Sequence, residues 1–141
     1  MAFHFEIVTP EKIVYKDDVD EILVNTQEGQ IGILPNHVRL LTKLVSSELT
    51  IKKASHTQHL AVTGGFLEVG DNKATILADY AIRAEDIDAA RAQEAQRKAE
   101  QAMKEKSSDK DLRIAEAELQ KSILELSVSR KRRTHLGKPT P

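Results

Sequence analysis

Tyr80-Ala81-Ile82-Arg83-Ala84-Glu85-Asp86-Ile87-Asp88-Ala89-Ala90-Arg91-Ala92 is the stretch where one kind of sequence gives way to another. Tyr80 is the last aromatic residue of the 141, and Ala89 to Ala92 open a run rich in Ala, Glu, Lys and Arg. Upstream, residues 1–84 hold all five aromatics (Phe3, Phe5, Tyr15, Phe66, Tyr80), five of the six glycines, 8 basic and 11 acidic side chains. Downstream, residues 85–141 hold 13 basic and 11 acidic side chains, and neither Gly nor Pro falls between Gly70 and Gly137. An unpunctuated run of that composition suits helices. The boundary therefore divides the chain into two architectures, residues 1–84 and 85–141.

On the N-terminal side, the apolar period is two. Phe3, Phe5 and Ile7 alternate with His4 and Glu6, and Ile22 and Val24 alternate with Glu21, Leu23 and Asn25. Short apolar runs recur at Leu49–Ile51, Leu60–Val62, Phe66–Val69 and Ala74–Leu77. Turn signals separate them at Thr9-Pro10, Gln27-Glu28-Gly29, Gly64-Gly65 and Gly70-Asp71-Asn72. Short strands at this spacing imply a β-sandwich or flattened barrel, with a core of Ile, Leu and Val that about 84 residues can just bury.

On the C-terminal side the period is helical. Asp86 is expected to cap a first helix carrying Ile87 and a seam of Ala92, Ala95, Ala99 and Ala102. Ser107-Ser108-Asp109 interrupts the pattern, and Ser108 with Asp111 resembles a capping box. A second helix then sets Leu112, Ala115, Leu119, Ser122 and Leu126 at steps of three and four, with Ile123 widening the stripe. The expectation is an antiparallel helical hairpin. Its alanine seam buries little area, so it should depend on docking to stay folded, and elements of low local stability are the ones that move. Pattern alone thus suggests a rigid anchor followed by a detachable switch.

The chain as a whole excludes several classes. With 21 basic and 22 acidic residues, its net charge of -1 gives no electrostatic reason to expect a nucleic-acid binder. No cysteine is present, which removes disulfides and zinc-thiolate sites. No apolar run approaches the roughly 20 residues of a spanning helix, and no signal-like start is seen, so the expectation is a soluble protein that is not exported. Gly64-Gly65 lacks the strand-loop-helix setting and the lysine of a phosphate loop, and reads as a turn between strands. His56 and His59 lack a nearby third ligand, so no metal site is expected. Nor does any nucleophile, base and acid pattern argue for a catalytic site.

Three segments carry the resemblance to a known family: Glu28-Gly29-Gln30-Ile31-Gly32-Ile33-Leu34-Pro35-Asn36-His37, Thr63-Gly64-Gly65-Phe66-Leu67-Glu68-Val69, and Leu77-Ala78-Asp79-Tyr80-Ala81-Ile82-Arg83. With Asp86-Ile87-Asp88-Ala89-Ala90-Arg91-Ala92, their order and spacing resemble the epsilon subunit of the bacterial rotary, proton-translocating ATP synthase, from about Phe3 to Val128. The resemblance implies an all-β sandwich of about ten strands, then an α-helical antiparallel hairpin. It also implies a non-catalytic rotor subunit of an enzyme complex, peripheral to the cytoplasmic face of the bacterial inner membrane and without lipid contact.

The implied partners are the gamma subunit and the c-subunit ring for the sandwich, and the alpha and beta subunits of the catalytic head for the hairpin, which would block ATP hydrolysis when extended. By turn chemistry alone Glu28 to His37 is a hairpin turn, while the family places that region against gamma and the c ring, with Glu28, Gln30 and His37 as contacts. Gln30 stands where some relatives carry an acid, which weakens the case for a charge pair with the ring.

Ile87, Asp88, Arg91 and Ala92 match the family's nucleotide motif, with Lys98 and Lys121 as further charge; the plain reading of Asp88 and Arg91 is an intrahelical ion pair. Glu125 is an acid where tight binders carry a base, so weak ATP binding or none is expected, and no cofactor is required. Ser108, Arg113, Lys121, Arg130, Lys131, Arg132 and Arg133 would meet the beta subunit in the inhibited state. On charge alone the run Arg130–Arg133 is a solvated helix end. The alternative function is a stand-alone nucleotide-sensing or nucleic-acid-binding adaptor using that basic helix.

Overall fold

A computed structural model describes residues 1–105 and 108–137, with side chains up to Arg130. It divides into two compact units, Met1–Arg83 and Ala84–Pro141. The first contains ten strands: β1 (Phe3–Val8), β2 (Ile13–Val19), β3 (Glu21–Thr26), β4 (Gly29–Ile33), β5 (Leu40–Lys43), β6 (Ser47–Lys53), β7 (His56–Thr63), β8 (Phe66–Gly70), β9 (Lys73–Leu77) and β10 (Tyr80–Arg83). They form two five-stranded sheets in the orders β2-β1-β9-β8-β5 and β10-β7-β6-β3-β4. Neighbours are antiparallel except β1 and β9, which run parallel.

Alternation builds the core. Along β1, Phe3, Phe5 and Ile7 are buried while His4 and Glu6 are only partly so, and β3 buries Ile22 and Val24 by the same rule. Val19, Ile33, Ile51, Leu60, Leu67 and Ile76 add further large, fully buried side chains from both sheets. Each such side chain contributes about 1.5–3 kcal/mol on burial, which is ample for a unit of this size. The Gly64-Gly65 turn joins β7 to β8, both strands, with left-handed φ of 62° and 104°. At β8–β9, Asp71 and Asn72 are both left-handed (φ 51° and 56°), as a two-residue turn between twisted strands requires.

The segment Glu28–His37, read from turn chemistry as a hairpin turn, is for half its length a strand. Only Gln27 and Glu28 make the turn, since Thr26 pairs with Gly29, and β4 follows at once.

The second unit opens with a 3-10 turn, Ala84–Asp86, followed by α1 (Ala89–Lys104) and α2 (Asp109–Gly137), which pack as a hairpin. Asp86 closes the 3-10 turn and does not cap α1. The cap is Asp88, whose extended backbone (φ -88°, ψ 102°) lets Oδ1 accept from the N–H groups of Ala90 and Arg91 at 3.0 and 3.2 Å. At α2, Ser108 Oγ accepts from Asp111 N–H at 3.1 Å and its carbonyl accepts from Leu112 N–H, as the capping pattern implies. In the seam, Ala92 and Ala99 on α1 and Ala115, Ser122 and Leu126 on α2 are buried, with Ala95, Leu112 and Leu119 half-buried. Ala102 and Ile123 are exposed, so the stripe is narrower than its pattern suggests. Buried Ser122 is satisfied by donating to Leu119 carbonyl at 2.9 Å.

Candidate functional site

The outer face of the first sheet carries a transverse apolar line. Lys43 lies opposite Phe66, Phe66 opposite Leu77, and Leu77 opposite Val8. Ile13, paired with Val8 beside a bulge, extends the line to edge strand β2. Directly paired residues share a face, so Phe66 (51% exposed) and Leu77 (53%) form a continuous apolar surface open to solvent. Leu41 (72%) flanks it on β5, and Leu34 and Val38 are exposed in the segment between β4 and β5. The next line across the sheet begins at Leu41 on β5 and is polar from there on, through Glu68, Thr75, Glu6 and Lys16. An exposed apolar line of this kind is a candidate interaction surface, since contiguous apolar patches on a protein surface are where partners dock.

Phe66 and Leu77 were not singled out by motif, yet the signal is in the alternation: with Leu67, Val69, Ala74 and Ile76 turned inward, Phe66 and Leu77 must point out. Aromatic packing in the core does not claim every aromatic residue. Phe3, Phe5 and Tyr15 are buried, whereas Phe66 is not.

The other candidates are dispersed. Glu28 and Gln30 are exposed together at the β3–β4 turn, whereas His37 lies beyond the opposite end of β4. His37 Nδ1 donates to Val38 carbonyl at 2.7 Å, which fixes its ring. In the hairpin, Asp88 is engaged with the backbone of Ala90 and Arg91, and Ala92 is buried. The plain ion-pair reading of Asp88 and Arg91 therefore gives way to a cap. Arg91 is exposed, and Lys98 lies about two turns further along α1.

There Lys98 borders an open groove of about 350 Å³, floored by Ala95, Ala99, Ala102, Ile114 and Ala115 and rimmed by Asp111 and Glu118. Those two acids disfavour phosphate at Lys98. Lys121 and Glu125 are half-buried on α2, outside the residues that line this groove. Ser108 is spent on the α2 cap, and Arg113 and Arg130 are exposed. Lys131, Arg132 and Arg133 lie on the backbone of α2, and their side chains are outside the described residues.

His59 Nδ1 is 2.7 Å from Glu48 Oε1 across the β6–β7 ladder, while His56 is exposed. Among the described residues no cluster of His, Cys, Asp and Glu could hold a metal ion.

A ten-stranded, two-sheet sandwich with an exposed apolar line on one outer face, followed in the chain by a helical hairpin, defines the class of fold. Two family models match the chain: the β-sandwich domain of the ATP synthase delta/epsilon chain over residues 2–84 and the long α-helix domain of the same chain over residues 85–130. The chain belongs to the ATP synthase delta/epsilon chain family, on the epsilon side. The ATP synthase epsilon chain of Herpetosiphon aurantiacus is 44% identical over 133 residues, covering 94% of this chain and 98% of the relative. That of Chloroflexus aggregans is 45% identical over 129 residues, covering 92% and 93%. That of Bacillus mycoides is 41% identical over 128 residues, covering 91% and 96%.

Two solved structures share the fold with a TM-score of 0.63. One is the mitochondrial ATP synthase of Euglena gracilis (OSCP/F1/c-ring), at 20% identity over 96% of this chain and 81% of the other. The second is the central stalk and c-ring of the Tetrahymena thermophila enzyme, at 19% identity over 89% and 95%.

Proposed function

We propose that this chain is a non-catalytic rotor subunit of the proton-translocating ATP synthase, in which the sandwich anchors on gamma and the c ring and the hairpin restrains ATP hydrolysis by engaging the alpha and beta subunits. The observation that carries the anchoring half is the apolar line Phe66, Leu77, Val8 and Ile13, flanked by Leu41. A surface of that chemistry is matched by an apolar face on a helical partner such as gamma. The c ring would be met at Glu28, Gln30 and His37, on the exposed segments at the two ends of β4. The fold likeness to central-stalk and c-ring assemblies supports the same placement.

The switching half rests on the hairpin's alanine seam, whose small buried area makes separation inexpensive. Arg113, Lys121 and Arg130 would meet acidic groups of the beta subunit there, through charge-assisted and salt-sensitive contacts. ATP is a weak regulator of this chain or none, because Asp88 serves as a cap and Glu125 repels phosphate. No helix among the described residues is long and apolar enough to cross a membrane, in keeping with peripheral attachment at the cytoplasmic face through the complex.

The deciding experiment is ATP hydrolysis by a catalytic head lacking its own epsilon, with the full chain and separately with a version ending at Ala84, scoring the binding of each to gamma. Binding by both with inhibition only by the full chain supports both halves; binding by neither removes the anchoring reading.

A further inference from the structure

His4 has both ring nitrogens on carboxylates: Nδ1 lies 3.1 Å from Asp18 Oδ1 and Nε2 lies 2.9 Å from Glu6 Oε1. An ionised carboxylate only accepts hydrogen bonds, and a neutral imidazole carries a single N–H. Making both bonds at once therefore calls for the imidazolium, which has two donors. His4 and Asp18 are direct partners across the β1–β2 ladder, and β2 is an edge strand with β1 as its neighbour in the sheet. The ring thus ties the edge strand to the interior of the sheet.

The surrounding charges come from three strands. Glu6 on β1 has Lys16 Nζ from β2 and Lys73 Nζ from β9 each at 3.9 Å. Asp17 on β2 is near enough for the ring's charge to favour its ionised form. The His4 side chain is 33% exposed and that of Asp18 71%, so solvent protons reach the pair.

We propose that His4 is a proton-operated clasp: as imidazolium it fastens edge strand β2 to β1 through Asp18, and loss of its proton frees that end of β2. The hydrogen bond to Glu6, and after it the one to Asp18, hold the ring's pKa above its ordinary 6.5. For a histidine raised in the folded state, the stabilisation is fully present below 6.5 and is lost as pH rises through the folded value. The end so freed is the Asp18–Val19 end of β2, whereas Ile13 and the apolar face lie at its opposite end, where Ile13 pairs with Val8. The clasp follows from side-chain geometry and does not depend on what that face binds.

The test is NMR on the full chain between about pH 5.5 and 9, a span that brackets the ordinary histidine value. It follows the His4 ring directly, and the exchange protection of β2 amides relative to β6–β7 amides, in wild type, His4→Gln and Asp18→Asn. The wild-type ring is expected to titrate above 6.5 and to move down in Asp18→Asn. Relative protection of β2 is expected to fall about threefold through that midpoint, the scale of an exposed ion pair, and to stay flat in His4→Gln. A wild-type ring titrating at or below 6.5 overturns the clasp whether or not the variants fold. So does a β2 profile in His4→Gln that parallels wild type.

Discussion

The guanidinium of Arg83 stacks over the ring of Tyr15, 5.3 Å from its centroid, and donates from Nη2 to the Val14 carbonyl at 3.2 Å. Arg83 ends β10, an edge of one sheet, while Val14 and Tyr15 lie on β2, an edge of the other. One side chain therefore bridges both sheets at the last residue of the sandwich. Burial pushes the Tyr15 hydroxyl pKa up, and its oxygen has no hydrogen-bond partner among the described residues, so the ring's contribution there is packing and its π-face.

Arg83→Ala is expected to destabilise the sandwich by about 1–2 kcal/mol, one cation–π contact plus one hydrogen bond. Arg83→Lys should recover less than half of that, because an ammonium cannot both stack flat and donate sideways. Urea unfolding of the full chain, followed by tyrosine fluorescence, measures both; equal stability of all three proteins would remove the bridge.

Two glycines with left-handed backbones should respond differently to alanine. At Gly65 (φ 104°) a Cβ would collide with the Leu77 carbonyl and come within 2.9 Å of Ala78 Cα, so backbone must move. At Gly29 (φ 123°) a Cβ meets open space. Gly65→Ala is expected to cost about 3 kcal/mol or more, and Gly29→Ala about 1–2 kcal/mol from backbone strain alone. Thermal melts of the two variants rank them, and the reverse ranking would contradict the turn geometry.

The four strands that alternation does not mark are β2, β4, β5 and β10, and these are the four edges of the two sheets. The reason is physical. Interior strands need apolar residues on a strict period of two, whereas edges are kept short, charged or glycine-rich to discourage pairing with other chains. Thus β2 carries Lys16-Asp17-Asp18, β4 is Gly-Gln-Ile-Gly-Ile, and β5 and β10 have four residues each.

The hairpin was legible because its seam and the Ser108 cap are local. The α1 cap was displaced from Asp86 to Asp88 because a 3-10 turn takes up Ala84–Asp86, a choice that periodicity does not encode. The exposed apolar line is only partly local: alternation turns Phe66 and Leu77 outward across the β8–β9 turn, whereas Val8 and Ile13 join them through register with strands distant in sequence.

The link between Lys53 Nζ and Asp17 Oδ2, at 2.6 Å, joins β6 in one sheet to β2 in the other. The hydrogen bond from Lys53, followed by that from Asp18 N–H, holds the Asp17 carboxyl below its ordinary 3.8. A depressed carboxyl pKa stabilises the fold above 3.8, and that contribution is lost as pH falls from there through the folded value. Asp17→Asn and Lys53→Met should each flatten the acid limb of the stability curve, measured by urea midpoints from neutral pH downward. An acid limb identical to wild type in both variants would show that the link carries no pH dependence.

Asp88 distinguishes a cap from a nucleotide ligand. Asp88→Ala is expected to lose about 1 kcal/mol of helix stability, seen as faster amide exchange in the first turn of α1, while Asp88→Ser keeps the cap. Titration of the full chain with ATP should give millimolar affinity or none. Micromolar binding that is abolished by Asp88→Ser, with the first turn still protected, would assign the carboxylate to the nucleotide instead.

Phe66 provides the sharpest test of the proposed docking face. It is half exposed on the outer side of β8, so its replacement leaves the core formed by Leu67, Val69 and Ile76 untouched, and Phe66→Ser should change stability by no more than about 0.5 kcal/mol. Leu77→Ser, directly opposite on β9, should behave alike. A large side chain at the centre of an apolar interface typically carries more than 1 kcal/mol of binding, so each variant should weaken association with gamma by about tenfold. Because the two side chains are adjacent and would be covered by the same partner surface, the double variant should lose less than the sum of the singles. Association unchanged in both single variants, with folding intact, would move the anchor off this face and onto the exposed segments at the ends of β4.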